Sequence, residues 1–465
     1  MPFWTCDFQG CERPTVRKDG DCTLCDRHLC ARHLGSPFHD CPKWEDADVY
    51  DSLLIEADEN NLQKLLDRIN TRALAARASS LRQGIACSIP SLHHETEQQP
   101  SAMGGMNIHL DVIFEDGVTW IVRIRKFDST SPPAAVRDHI FRSEVATLKF
   151  LEEIDIPTPK VHGFGLEGDA DNDTGVGYMF MDKMPGKALK WDFNNETLRG
   201  KVIEQLADVF IELQKQSFAS MGSLHEAPGD AVEVGPFAHE SLSDIDEAGR
   251  MLTSGPFLSL QESLTSEINF ILDLITREEM YTPQMAVDSY LVHRFLLDLI
   301  PRIFPHFSGG EEAGDVARFY LKHADDKGDH ILVDDDYNIT GIIDWEWAKV
   351  VPAEVAFNSP LALLRVDQFY SGCVEMCEEE RLFADTLEGK GHLDLAEHVR
   401  RGRLVHFFTF CCCYNLSADF AGFEGLFRGL RDAACVDGGM DWEEWRTVAL
   451  ARYEDDEGLK KLRAK

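Results

Sequence analysis

The residues best equipped for chemistry lie in the stretch 317 to 347, ARFYLKHADDKGDHILVDDDYNITGIIDWEW. Ile331-Leu332-Val333 and Ile339-Thr340-Gly341-Ile342-Ile343 are apolar runs either side of the polar cluster Asp334-Asp335-Asp336-Tyr337-Asn338. That pattern predicts a tight β-hairpin. Asp325 precedes the first run and Asp344 follows the second, so the hairpin brings two carboxylates to one edge. Carboxylate oxygens gathered in this way suit a divalent cation and the phosphates it carries. His323 and His330 complete the series: His-x-Asp-x-x-x-x-His, then Asp344 beyond the hairpin. The plainer alternative is a surface hairpin whose acids are solvated turn residues, but such a hairpin would not need this order.

The series His-Ala-Asp, Ile-Leu-Val-Asp and Ile-Ile-Asp-Trp-Glu resembles the core of the aminoglycoside phosphotransferase family. The resemblance implies an α+β, two-lobed protein-kinase-like fold over roughly residues 100 to 430. It implies that Asp325, in a catalytic loop with His323, orients and deprotonates an acceptor hydroxyl. Asp344 would hold magnesium or manganese on the phosphates of ATP. His330 stands where the family has Asn. Magnesium accepts an imidazole nitrogen less readily than an amide oxygen. If His330 faces the metal, it should ligate weakly, favour manganese, and lose activity as pH falls through the histidine range. The competing reading is a catalytically weak pseudokinase scaffold. No Ala-Pro-Glu segment follows Asp344, so the acceptor is expected to be a small molecule rather than a protein.

A second set of capable residues sits at the start of the chain. Six of the 13 cysteines fall between Cys6 and Cys41, with His33 and His39 interleaved. The pattern is Cys6-x4-Cys11-x10-Cys22-x2-Cys25-x4-Cys30-x2-His33-x5-His39-x-Cys41. Eight such ligands suit two tetrahedral zinc ions with no open position, the structural kind of site. The spacing resembles the AN-1-type zinc finger. That family's cross-brace implies one zinc on Cys6, Cys11, Cys30 and His33, and another on Cys22, Cys25, His39 and Cys41. It also implies protein contact as the finger's role. His28 falls outside the pattern. Cys411, Cys412 and Cys413 are consecutive in an apolar helical stretch and cannot share one face, so they form no ready metal site and read as buried or incidental.

The elements that must position these groups can be placed in order. The finger takes residues 1–44. Residues 45–100 read as a helical linker, with a broken apolar period through Leu53, Leu62, Leu65, Ile69 and Leu74 that is expected to lie against the next lobe. Residues 101–185 should form a nucleotide-binding lobe. Gly104 and Gly105 precede a strand ending at Phe114, Glu115-Asp116-Gly117 turns it, and Val118 to Lys126 returns. The resemblance places the phosphate-covering loop at this hairpin, the phosphate-contacting cation at Arg123, its helix partner at Glu144, and the adenine-facing hinge at Met181 to Lys183. Residues 186–465 should be a helical lobe carrying the catalytic loop and a substrate wall, with an acidic surface insertion at 225 to 255.

Composition narrows the partners. Lys and Arg total 46 against 81 Asp and Glu, a net charge of −35. Such a chain repels a phosphate backbone, so no nucleic acid partner is expected. No apolar run approaches a membrane span, and the first residues carry no signal-peptide pattern. An intracellular protein, cytoplasmic or nuclear, is the expectation.

Overall fold

The computed structural model describes residues 3–42, 47–90, 105–229, 231–304, 318–417 and 419–464. In the finger, two short antiparallel strands, β1 (Asp21–Cys22) and β2 (Arg27–His28), are the only regular structure described. Its apolar cluster is small: Cys6, Leu29 and Cys30, with Phe8, Cys11 and Leu34 against them. So small a cluster offsets little of the entropy of ordering about 40 residues, the circumstance in which small domains commonly use a metal.

Helices α1 (Ala47–Arg68) and α2 (Thr71–Leu81) follow. Their apolar stripe lies against the next lobe. Leu62, Leu65, Leu74 and Ala78 enter one core with Ile108, Leu110, Val112 and Phe114. The last four alternate along β4 (Asn107–Phe114) and so share a face. Trp120, Val122 and Ile124 do the same on β5 (Thr119–Arg125). A two-residue strand, β3 (Cys87–Ser88), pairs with β4. With β6 (Val161–Gly165) and β7 (Tyr178–Asp182), the antiparallel sheet runs β3-β4-β5-β7-β6. Residues 47–90 thus share the core of this sheet. Helix α3 (Ala134–Leu151) buries Val136, Ile140, Val145, Leu148 and Leu151, and Glu144 with them.

After β7 the chain crosses to the second lobe through Lys183 to Gly186. Gly186 has φ +99°, and a Cβ there would meet the Val333 carbonyl oxygen at 2.7 Å, so the crossing requires glycine. Strand β8 (Lys187–Ala188) then joins the predicted hairpin, β14 (Ile331–Val333) and β15 (Ile339–Ile342), as a third strand. Helices α4 (Glu196–Gln214), α5 (Leu260–Thr276) and α6 (Ala286–Ile303) and the helices of residues 378–463 enclose a core rich in aromatics, with Phe295, Phe427 and Trp445 mutually packed.

The feature that places the chemistry is the pairing of β13 (Phe319–Lys322) with β16 (Lys349–Pro352). They run antiparallel, with Lys322 opposite Lys349. The end of β13 therefore meets the start of β16, and the segments 323–330 and 343–348 lie at the same end. The hairpin between them is an excursion that returns the chain to where it left.

The acidic insertion is not a free surface loop. Its strands β9 (Ser223–Glu226) and β10 (Val232–Gly235), then β11 (Ser243–Ile245) and β12 (Met251–Thr253), form two small sheets. The second holds the finger. Arg17 Nη1 donates to the Ser243 carbonyl at 3.0 Å, and its Nη2 lies 2.5 Å from Asp244 Oδ1. Arg277 shares Asp244 at 2.9 Å. Phe3 of the finger packs on Val136 and Ile140 of α3, with Trp347 and Met251 alongside. The finger therefore touches both lobes, although the sequence suggested a separate module.

Candidate functional site

His323 is the pivot of the site. It is buried, and the Asp325 backbone N–H donates to its Nδ1 at 3.2 Å. Its Nε2 lies 3.0 Å from the Ile343 carbonyl and carries the ring proton toward it. One neutral imidazole thus ties the residue that carries Asp325 to the residue preceding Asp344. Burial lowers the His323 pKa and keeps the ring neutral. His323 is a positioning residue for both acids.

Two adjacent acids in this loop have opposite surroundings. Asp326 is buried; its Oδ2 accepts from Lys322 at 3.0 Å and its Oδ1 from the Leu361 N–H at 3.0 Å. Burial opposes its charge, but Lys322 and the Leu361 N–H outweigh that and hold its carboxyl below the usual range. Asp326 anchors the loop. Asp325 is 41% exposed and touches Lys327 Nζ at 2.7 Å. Of the two, it is the acid open to solvent.

Asp344 adopts φ +62°, a left-handed backbone that a non-glycine residue takes at a cost of order 1 kcal/mol. Its carboxylate is 55% exposed and 3.8 Å from Arg123 Nη2. Arg123 itself is buried on β5 and bonded to Glu144 of α3, as expected from the sequence. Its Nη2 also reaches Glu346 Oε2 at 2.7 Å, and Glu346 bonds Arg125 as well. With its amide oriented to satisfy both donors, Asn107 accepts from Arg123 Nε at 3.1 Å and Nη2 at 2.8 Å. Burial opposes the charge on Arg123, but Glu144 and Asp344 outweigh it and hold the guanidinium's pKa above its usual value.

Sequence reasoning overlooked Glu346, Asn107, Lys327 and His109. Glu346 and Lys327 stand inside the catalytic stretch, and their nearness to Asp344 and Asp325 was the available signal. His109 faces Arg123 across the β4–β5 pair. Burial and then Arg123 push its pKa down to about 4. Nothing in its spacing marks it.

His330 departs from expectation. It is buried, its ring centroid 4.2 Å from that of His323. The Gly328 N–H donates to its Nδ1 at 3.3 Å, so the neutral ring carries its proton on Nε2. Neither nitrogen then offers a free lone pair to a cation. Burial, reinforced by His323, lowers its pKa to about 3. It does not titrate through the ordinary histidine range, and the expected loss of activity there through His330 is corrected.

The glycine expectations also divide. Gly105 lies at the end of the β4–β5 pair where Asn107 faces Arg125. The Glu115–Gly117 turn is at the other end, about 20 Å along the strands from Arg123, too far to cover phosphates held there. Gly104 lies outside the described residues. Met181 is buried at the end of β7, and Lys183 begins the crossing between lobes, its Nζ 2.7 Å from Asp111.

The eight finger ligands come together in the two sets anticipated. Cys6, Cys11, Cys30 and His33 form one and Cys22, Cys25, His39 and Cys41 the other, each with its donor atoms within 4.8 Å of one another. A tetrahedral zinc implies S to S separations of about 3.8 Å and S to N separations of about 3.6 Å. The observed Cys11–Cys30 distance is 3.9 Å, and Cys6–His33, Cys30–His33 and Cys25–His39 are 3.4, 3.5 and 3.6 Å. His39 Nδ1 lies 3.3 Å from the Leu34 carbonyl, which leaves Nε2 as the ligating nitrogen. The donor sets fit zinc.

No helix among the described residues is long and apolar enough to cross a membrane. Comparison with known proteins gives a match between residues 109–355, a little over half the chain, and the model of the phosphotransferase enzyme family. The chain is 25% identical over 267 residues to the clavilactone A biosynthesis cluster protein Y of Ampulloclitocybe clavipes, a match covering 55% of this chain and 61% of that protein's length. Among solved structures, it is similar to the macrolide 2'-phosphotransferase MphH from Brachybacterium faecium, with 14% identity and a TM-score of 0.38, over 78% of this chain and 97% of that one. It is also similar to a thermostable mutant of aminoglycoside phosphotransferase APH(4)-Ia in ternary complex with AMP-PNP and hygromycin B. There the identity is 13% and the TM-score 0.40, over 76% of this chain and 96% of that one.

Proposed function

Because the chain belongs to the phosphotransferase enzyme family, we propose that it transfers the terminal phosphoryl group of ATP to a hydroxyl of a small molecule. The observation that supports this most is the link through His323, which fixes an exposed Asp325 and an exposed Asp344 at one end of the β13–β16 pair. Asp344 would hold magnesium or manganese, which would neutralise charge on the triphosphate. Arg123, held by Glu144 and Glu346, supplies a fixed cation beside Asp344. Asp325 accepts the hydroxyl proton as the oxygen bonds to the γ-phosphorus and the bond to ADP breaks. Met181 to Lys183 would receive the base at the crossing between lobes, and Gly105 would approach the phosphates. The two finger clusters would bind two structural zinc ions.

The test is ATP turnover over a panel of hydroxylated small molecules, with magnesium and with manganese. Hydroxyl-dependent ADP release that Asp325→Asn abolishes would support the proposal. A second reading, a weak or inactive scaffold that recruits a protein partner through the finger, is favoured by one observation. His330 replaces the expected Asn and leaves no lone pair for a metal. Absence of turnover with every acceptor, together with partner capture that Cys25→Ser abolishes, would select the scaffold.

A further inference from the structure

A cavity of about 360 Å³ lies beyond the phosphotransfer loops. One side is β16 and Trp347, three residues past Asp344. Another is the segment 237–242, and α5 and the helix Gly402–Cys413 form the floor. The remaining wall is Arg17, Lys18 and Asp19 of the finger. The finger is fixed there by Arg17 on Asp244 and by Asn415 Nδ2 donating to Asp19 Oδ1 at 3.0 Å.

Three observations define what would fit. The volume lies in the range of small-molecule pockets, about 300–1,000 Å³. The lining is mainly apolar, with Met221, Leu264, Val351, Val355 and Phe408 as examples. Its ionic groups balance: Arg17, Lys18 and Lys349 against Asp19, Glu240 and Glu267, in a chain whose net charge is −35. A polycation would find no surplus of acid there. Yet polar atoms are waiting. Trp347, Glu240 and Asp19 line the cavity, and Trp347 Nε1, Glu240 Oε2 and Asp19 Oδ2 are buried without a hydrogen-bond partner among the described residues, Glu240 Oε2 having only His239 Nδ1 near it, at 3.7 Å. An indole donor and carboxylate acceptors among the lining residues match a group that both accepts and donates, which is what a hydroxyl does. Leaving such atoms unsatisfied is costly, and a ligand that satisfied them would gain accordingly.

We propose that this cavity binds a neutral, mainly apolar small molecule bearing hydroxyl groups, and that the finger segment Arg17–Asp19 is a wall of the site. Naming that molecule the phosphate acceptor rests on the phosphotransferase reading; the binding site does not.

The test uses the full zinc-loaded chain with 2-naphthol as probe, read by calorimetry. Binding at one site per chain is expected. Leu264→Trp and Val355→Trp, which fill the cavity from different sides, should each weaken it at least tenfold while leaving Tm, zinc content and Mg–ATP binding unchanged. Asp19→Ala, in the finger, should weaken it several-fold. Kanamycin, a polycation, should neither bind the cavity nor compete. No probe binding while Mg–ATP still binds would overturn the proposal, as would binding that both filling variants leave intact, or kanamycin binding more tightly than 2-naphthol. Probe binding in a protein that never binds Mg–ATP would support the cavity and sink the phosphotransferase reading alone.

Discussion

The cleft between Arg123, Asp344 and Asp325 and the cavity under the finger are built on opposite principles. In the cleft, charged groups already have partners: Arg123 has Glu144, Glu346 and Asn107, and Asp325 has Lys327. In the cavity, mainly apolar walls include residues with polar atoms that lack a hydrogen-bond partner among the described residues. A largely paired network fixes geometry without needing a ligand, which would suit the proposed aiming of phosphates and a proton acceptor. An unpaired set gains most of its satisfaction from the bound molecule, which suits selection of that molecule. On the two proposals, positioning and recognition lie in different regions of the chain, and variants can be chosen to disturb one and spare the other.

The largest effect should come from Asp325, the more exposed of the two adjacent acids Asp325 and Asp326. Asp325→Asn removes the proton acceptor while keeping shape, and kcat should fall about 10²–10⁴-fold with Mg–ATP binding unchanged. An equal loss of nucleotide affinity would mean that Asp325 belongs to the phosphate network, and the division would break. Next in size is Glu346→Ala. It leaves Arg123 and Arg125 short of a buried counter-charge, and breaking such a network costs about 3–5 kcal/mol. Denaturant unfolding should register that loss, and 2-naphthol affinity of the folded fraction should not change. Removal of zinc should do the reverse. Two zinc ions per chain are expected, and chelation should abolish probe binding because the Arg17–Asp19 wall is lost. Mg–ATP binding should persist, since the sheet and helical core do not run through the finger. One zinc or none would refute the paired clusters.

How much of this was legible in the sequence follows the range of each interaction. The finger ligands were legible because all eight lie within 36 residues and metal geometry dictates their spacing. Asp325, Asp344 and the hairpin were legible for the same reason. The Arg123–Glu144 pair was found only through family resemblance, because a strand Arg and a helix Glu carry no mark of each other. Glu346 sat in full view within Trp-Glu-Trp, but its partners are Arg123 and Arg125, over 200 positions away. The docking of Arg17 on Asp244 spans a similar distance. Residues 47–90 read as a linker because the strand that ties them to the sheet, Cys87–Ser88, has only two residues. No period can be seen in two residues. The burial of His330 was hidden as well, since spacing gives a residue's position in a loop and not the side on which its ring packs.

The smallest expected effect tests that last point. His330 has a pKa of about 3 in the folded chain, set first by burial and then by His323, against 6.5 ordinarily. Between these values the unfolded chain binds the proton and the folded one does not. Stability contributed by this residue is therefore complete above about pH 6.5 and declines as pH falls, by about 1.4 kcal/mol for each unit. His406 is buried and lowered to about 3 in the same way and should behave alike. From pH 7.5 to 5.5 each should cost about 1.4 kcal/mol. His330→Asn removes one of the two, so the variant's loss of unfolding free energy over that interval should be smaller by about that amount. Turnover between pH 6 and 8 should show no titration that the variant abolishes, because the ring stays neutral throughout. A histidine step in the rate profile that disappears in His330→Asn would place the ring in the positioning network as a titrating member. An unchanged stability slope would mean that it is not buried as described.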